Sequence, residues 1–168
     1  TRFAYVAGGR VHVLDGDGAA LRAITSESAT SLSPAWSPDG SRVAYTRLQD
    51  GRAPIMIQPP AGGAATPVPG TNAGRNITPA FSPDGKLLAY AGSTEQGTNI
   101  QVANVAQNCC VQRLTVGRFA DNLSPTFAPD GSRLAFVSTR AGPAQVYTMG
   151  ADGTDAELFV PFDFGVTG

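Results

Sequence analysis

The chain has 168 residues, 42% of them hydrophobic, and a formal net charge of -1 at pH 7. That is long enough for one domain with a core of its own, and the lack of any basic run argues against nucleic acid, whose phosphates need clustered Lys and Arg. No stretch approaches the roughly 18 apolar residues of a membrane helix, while Gly (20) and Pro (13) are abundant, as expected where turns are frequent.

In chain order, the first predicted strands are Arg2–Tyr5, Val11–Leu14 and Leu21–Ile24, with Gly16-Asp17-Gly18 as a turn. Asp15-Gly16-Asp17-Gly18 begins like a calcium loop, but Ala19 and Thr25-Ser26 stand where further oxygen ligands are needed, so it reads as a hairpin turn. His12 is the sole histidine and falls on a strand. It reads as a half-buried strand residue, and no His-based metal site or Ser-His-Asp triad is available within the chain.

A repeat then appears. Ser33-Pro34-Ala35-Trp36-Ser37-Pro38-Asp39-Gly40-Ser41-Arg42-Val43-Ala44-Tyr45 recurs at Thr78–Tyr90 and again at Ser124–Phe136, with the Asp residues 45 and 46 positions apart. A four-stranded propeller blade takes about 40–50 residues. In each Pro-Asp-Gly the proline presets the first corner of a type I turn. The aspartate takes the second, and Gly40, Gly85 or Gly131 the left-handed position of a three-residue bulged hairpin. The aromatic before each turn (Trp36, Phe81, Phe127) is expected to anchor neighbouring blades. Two more strands complete each copy: about Pro54–Gln58 and Thr66–Pro69, Asn99–Val105 and Val111–Thr115, Gln145–Met149 and Glu157–Val160. Helical periodicity is absent, and Arg2–Tyr5 matches Arg42–Tyr45.

The expected fold is therefore all-β: a partial β-propeller in a single domain over 1–168, with blades near 1–32, 33–77, 78–123 and 124–168. It has about fifteen strands, three complete four-stranded blades and one three-stranded unit without its innermost strand. Both ends fall at the same phase of the repeat. Three origins follow: a piece of a larger ring, a short protein completed by a different partner, or a chain that self-associates.

The Ser-Pro-x-Trp/Phe-Ser-Pro-Asp-Gly repeats resemble the TolB-type, WD-like propeller family over nearly the whole chain. The same repeat also builds the propeller of prolyl-oligopeptidase-like peptidases. The resemblance implies a non-enzymatic, periplasmic or otherwise exported protein-binding module without a cofactor, which binds a peptidoglycan-associated lipoprotein at one mouth of its channel. Alternatives are a peptidase propeller that gates substrate access, or an accessory subunit of a larger membrane-associated complex. Six blades and a separate α/β domain characterise the family, and this chain has fewer blades and no such domain.

Candidate partner contacts are Asp39, Asp84 and Asp130 at the turns, and Phe159, Phe162 and Phe164 in the aromatic tail. The turn geometry accounts for each aspartate separately, and the tail also reads as an outer strand packed on a following blade. Cys109-Cys110 reads first as free thiols, with a vicinal disulfide as the alternative in an oxidising compartment.

Overall fold

A computed structural model describes residues 2–18, 21–26, 28–116 and 119–159. Among these residues all regular structure is strand, fifteen in all. The N-terminal unit holds β1 (Arg2–Ala7), β2 (Arg10–Asp15) and β3 (Leu21–Ala23). The first complete blade holds β4 (Thr30–Trp36), β5 (Val43–Leu48), β6 (Ile55–Gln58) and β7 (Thr66–Pro67). The second holds β8 (Asn76–Phe81), β9 (Leu87–Thr94), β10 (Gly97–Asn104) and β11 (Cys109–Arg113). The third holds β12 (Ala120–Phe127), β13 (Arg133–Ser138), β14 (Gln145–Gly150) and β15 (Glu157–Leu158). Each blade is an antiparallel meander, and β4, β8 and β12 lie side by side across successive blades. The chain is a partial β-propeller.

Neighbouring blades meet through apolar faces. Side chains alternate across a strand, so a sheet sandwiched between two others must be apolar on both sides. Ala44, Ile55, Ile57 and Val68 of the first blade pack against Phe81, Leu88, Tyr90 and Ala103 of the second. Ala89, Ile100, Val102 and Leu114 of the second then meet Leu134, Phe136, Tyr147 and Met149 of the third. Before them, Val11, Val13 and Ile24 of the N-terminal unit meet Val43, Tyr45 and Met56.

A backbone stitch accompanies each junction. The Ser31 N–H donates to the Gly9 carbonyl at 2.7 Å, and the Asn76 N–H to the Ala53 carbonyl at 3.1 Å. At the next junction the stitch lengthens into a short parallel pairing, Gly97 with Ala120 and Thr98 with Asp121. It merges the last two blades into one eight-stranded sheet, a continuity that period-two patterning within each blade cannot reveal.

The innermost strands carry a repeated irregularity. Ser33, Thr78 and Ser124, each just before a proline, take φ of 50°, 52° and 52°. The register of β4, β8 and β12 slips at the same place. A bulge bends the strand locally and raises its twist, and here it lets each inner strand turn while its aromatic anchor still reaches the junction.

The same fourth-strand position shows what burial between blades is worth. Leu114 donates its N–H to Ile100 O and is 9% exposed, while Phe159 donates to Val146 O in the same way and is 63% exposed. Leu114→Ala should therefore lower unfolding free energy by about 2–5 kcal/mol, and Phe159→Ala in this chain by about 0.5 kcal/mol or less. Urea denaturation of both variants checks the contrast.

Candidate binding rim

Three hairpin turns at one end of the blades form the most continuous candidate surface. In the first, Ser37 N–H donates to the Arg42 carbonyl and Gly40 N–H to the Ser37 carbonyl, both at 2.9 Å. The loop is Pro38–Ser41, one residue longer than the three-residue hairpin expected from Pro-Asp-Gly. The reason lies in the side chains. Arg42 N–H, which would close a shorter ladder, donates to Ser37 Oγ at 2.9 Å. Ser41 N–H donates to Asp39 Oδ1 at 3.0 Å. The glycines take the left-handed conformation the motif calls for, with φ of 69°, 70° and 74° at Gly40, Gly85 and Gly131.

The second turn repeats this network, with Ser82 Oγ donating to Asp84 Oδ1 at 2.6 Å and Lys86 N–H to the same oxygen at 3.0 Å. The third has Ala128 in place of the serine, and Asp130 accepts from Ser132, through its N–H at 3.0 Å and its hydroxyl at 2.8 Å. These bonds favour the ionised carboxylates. The Ser37 hydroxyl, then the hydroxyl and N–H of Ser41, hold Asp39 well below the usual carboxylate range. The Ser82 hydroxyl and the Lys86 N–H lower Asp84, and the Ser132 N–H and hydroxyl lower Asp130.

Successive turns abut. A β-carbon built on Gly85 would stand 3.7 Å from Cδ of Pro38, and one on Gly131 3.5 Å from Cδ of Pro83. Arg42 bridges the first pair: it donates to Gly85 O at 2.9 Å and lies over the Phe81 ring, 5.4 Å from its centre. Leu87 occupies that repeat position in the second blade and, like Phe127, packs against the core between the second and third blades. Arg133 occupies it in the third, where it turns back to Thr148 Oγ1 and Glu157. A hollow of about 390 Å³ opens between the second and third turns, lined by Asp84, Leu87, Phe127 and Asp130 among others. Asp84 and Asp130 thus share one depression, and Asp39 lies in a separate one with Arg2 and Trp36. Among the described residues no three His, Cys, Asp or Glu side chains stand close enough to hold a metal ion.

Of the aromatic anchors, Phe81 is buried, while Trp36 and Phe127 are half-buried against the junction cores. His12 stacks on Tyr5 with ring centres 5.4 Å apart. Phe159 lines a second hollow, of about 480 Å³, on the outer face of the third blade. Phe162 and Phe164 lie outside the described residues. At the β10–β11 hairpin the sequence favours free thiols, whereas the sulfurs of Cys109 and Cys110 are bonded to each other. A left-handed backbone at Cys110 (φ 58°) breaks the strand alternation that would point the two side chains apart. Arg42 escaped the sequence reading, although Arg2, Arg42 and Arg133 recur at one repeat position. Arg140 escaped it too. It donates to Ser138 and Asn122 and stacks over Phe136 and Tyr147.

The model of the TolB beta propeller domain family matches residues 1–161. The chain belongs to the TolB β-propeller family. The Tol-Pal system protein TolB of Escherichia coli K12 is 40% identical over 75 residues, which cover 40% of this chain and 17% of that protein. A putative TolB from Agrobacterium tumefaciens superposes with a TM-score of 0.83 at 25% identity, covering 94% of this chain and 57% of that one. TolB from Acinetobacter baumannii superposes at 0.77 and 26% identity, covering 94% and 41%. A puromycin-hydrolysing peptidase from Mycobacterium tuberculosis reaches 0.72 at 19% identity, a likeness of fold alone. The chain thus spans well under two thirds of these TolB proteins.

The turn aspartates should shape the acid limb of stability. A carboxyl lowered in the fold stabilises it above the unfolded pKa of about 4, and that contribution fades as pH falls through the folded value. Asp39→Asn should lower the denaturation midpoint at pH 7, and its difference from the parent chain should shrink as pH falls below about 4. Equal differences at pH 7 and pH 2.5 would count against the turn assignment.

Proposed function

We propose that this chain is a non-enzymatic, protein-binding part of a TolB-like propeller working in an exported, periplasmic compartment. The carrying observation is that, among the described residues, its two outermost sheet faces expose large apolar side chains at repeat positions that are buried between blades elsewhere. Phe3 is 53% exposed at the position where Val43, Leu88 and Leu134 are fully buried, and Phe159 is exposed where Ile24, Val68 and Leu114 are buried. Such faces take another blade, whichever polypeptide supplies it, and an apolar sheet face left bare invites association.

The family relatives support the rest of the reading. They carry the name of a Tol-Pal system protein, and the rim offers the kind of surface a protein partner reads: Asp84 and Asp130 kept ionised beside the apolar Leu87 and Phe127. A rim of fixed negative charge steers and orients a partner more than it adds raw affinity. The peptidase reading draws on likeness of fold only. The one histidine stacks on Tyr5 within the N-terminal unit.

Calorimetric titration with the soluble domain of a peptidoglycan-associated lipoprotein tests the proposal. The expected result is saturable binding in about the micromolar range, weakened about tenfold or more by Asp84→Arg with Asp130→Arg. Absence of binding by the folded chain, or binding indifferent to the double variant, would overturn the assignment of the rim.

A further inference from the structure

We propose that Cys109 and Cys110 form a reversible redox site which, once reduced, is a ready-made dithiol for soft, thiophilic trivalent arsenic compounds. The pair sits in the β10–β11 hairpin, with Cys110 exposed and Cys109 half-buried. An attacking thiolate therefore has a path to sulfur.

The hairpin's backbone does not depend on the sulfur bond. Asn108 and Cys110 take left-handed φ of 51° and 58°, and in the matching hairpin of the third blade Gly153 and Asp155 take 92° and 51° with no sulfur present. The match is fixed by the ladder, since Leu114 and Phe159 each stand four residues after Cys110 and Asp155 and donate to equivalent carbonyls. The conformation belongs to the repeat.

The strand that follows is also held from both sides. A β-carbon on Gly70 of the first blade would stand 2.6 Å from Cγ2 of Val111. Gln112 Nε2 donates to the Asp152 carbonyl of the third blade at 3.2 Å. Opening the sulfur bond therefore leaves two thiols side by side on a fixed frame.

The chemistry balances. Two thiols of a small reductant supply two electrons and two protons, giving two cysteine thiols and the reductant's own disulfide, and a disulfide-bearing oxidant reverses the step. An organoarsenic(III) dihydroxide then exchanges its two hydroxyls for the two sulfurs, releasing two waters with no change in oxidation state. Holding both sulfurs on one backbone makes the second As–S bond intramolecular, which strengthens binding by about 100-fold or more over a single thiol.

The test uses the native chain treated with dithiothreitol, freed of reductant and titrated with phenylarsine oxide, read by intact mass and circular dichroism. Expected are an oxidised chain that takes up none, a reduced chain that binds one equivalent with its β signal intact, and Cys109→Ser and Cys110→Ser variants that bind at least about 100-fold more weakly. The proposal is overturned if the reduced chain binds no tighter than either variant, if the untreated chain already binds, or if reduction abolishes the β signal.

Discussion

Every blade of this molecule depends on the face of its neighbour. A four-stranded sheet of this size is apolar on both sides, so neither face can be left to water without cost. Burying Leu88, Tyr90 and Ile55 at one junction and Ile100, Leu134 and Phe136 at the next makes a chain of interfaces. Stability in such an array is carried by nearest-neighbour contacts more than by any single blade. Backbone hydrogen bonds beside these cores tie each blade to the next.

The rim follows from the same arrangement. Because inner strands pack side by side, the turns that close them must also abut, and the third residue of Pro-Asp-Gly is the one that faces the preceding proline. Glycine there allows the left-handed backbone, while a β-carbon at Gly85 or Gly131 would meet the neighbouring proline only at ordinary contact distance. The aspartates are ionised at neutral pH as any exposed carboxylate is, and the donors of their own turns hold them ionised to lower pH. A partner that reads this rim reads a surface made by folding itself.

Much of this was legible from sequence. The spacing of the Asp39, Asp84 and Asp130 motifs fixed blade length, and strand positions followed from alternation between turn residues. The N-terminal remnant was recognisable because Arg2–Tyr5 copies Arg42–Tyr45. What escaped was set by contacts between blades or by local backbone angles. The joining of β10 to β12 needs two blades in register. The longer turn needs the Ser37 and Asp39 side chains to replace backbone acceptors. The bonded cysteines need a left-handed residue, which the hairpin supplies and the letters Cys-Cys do not announce. Arg42 shows the limit from the other side: its recurrence was in the sequence, but its target, the Gly85 carbonyl, exists only once two turns touch.

The central claim is that a blade is held by both of its neighbours. Residue-resolved amide hydrogen exchange tests it most directly, because local opening reports local stability. The account predicts the slowest exchange in β9 and β10, whose blade is covered on both faces, and markedly faster exchange in β1, β2, β13 and β14, whose blades are covered on one face among the described residues. Equal protection across all these strands would contradict it.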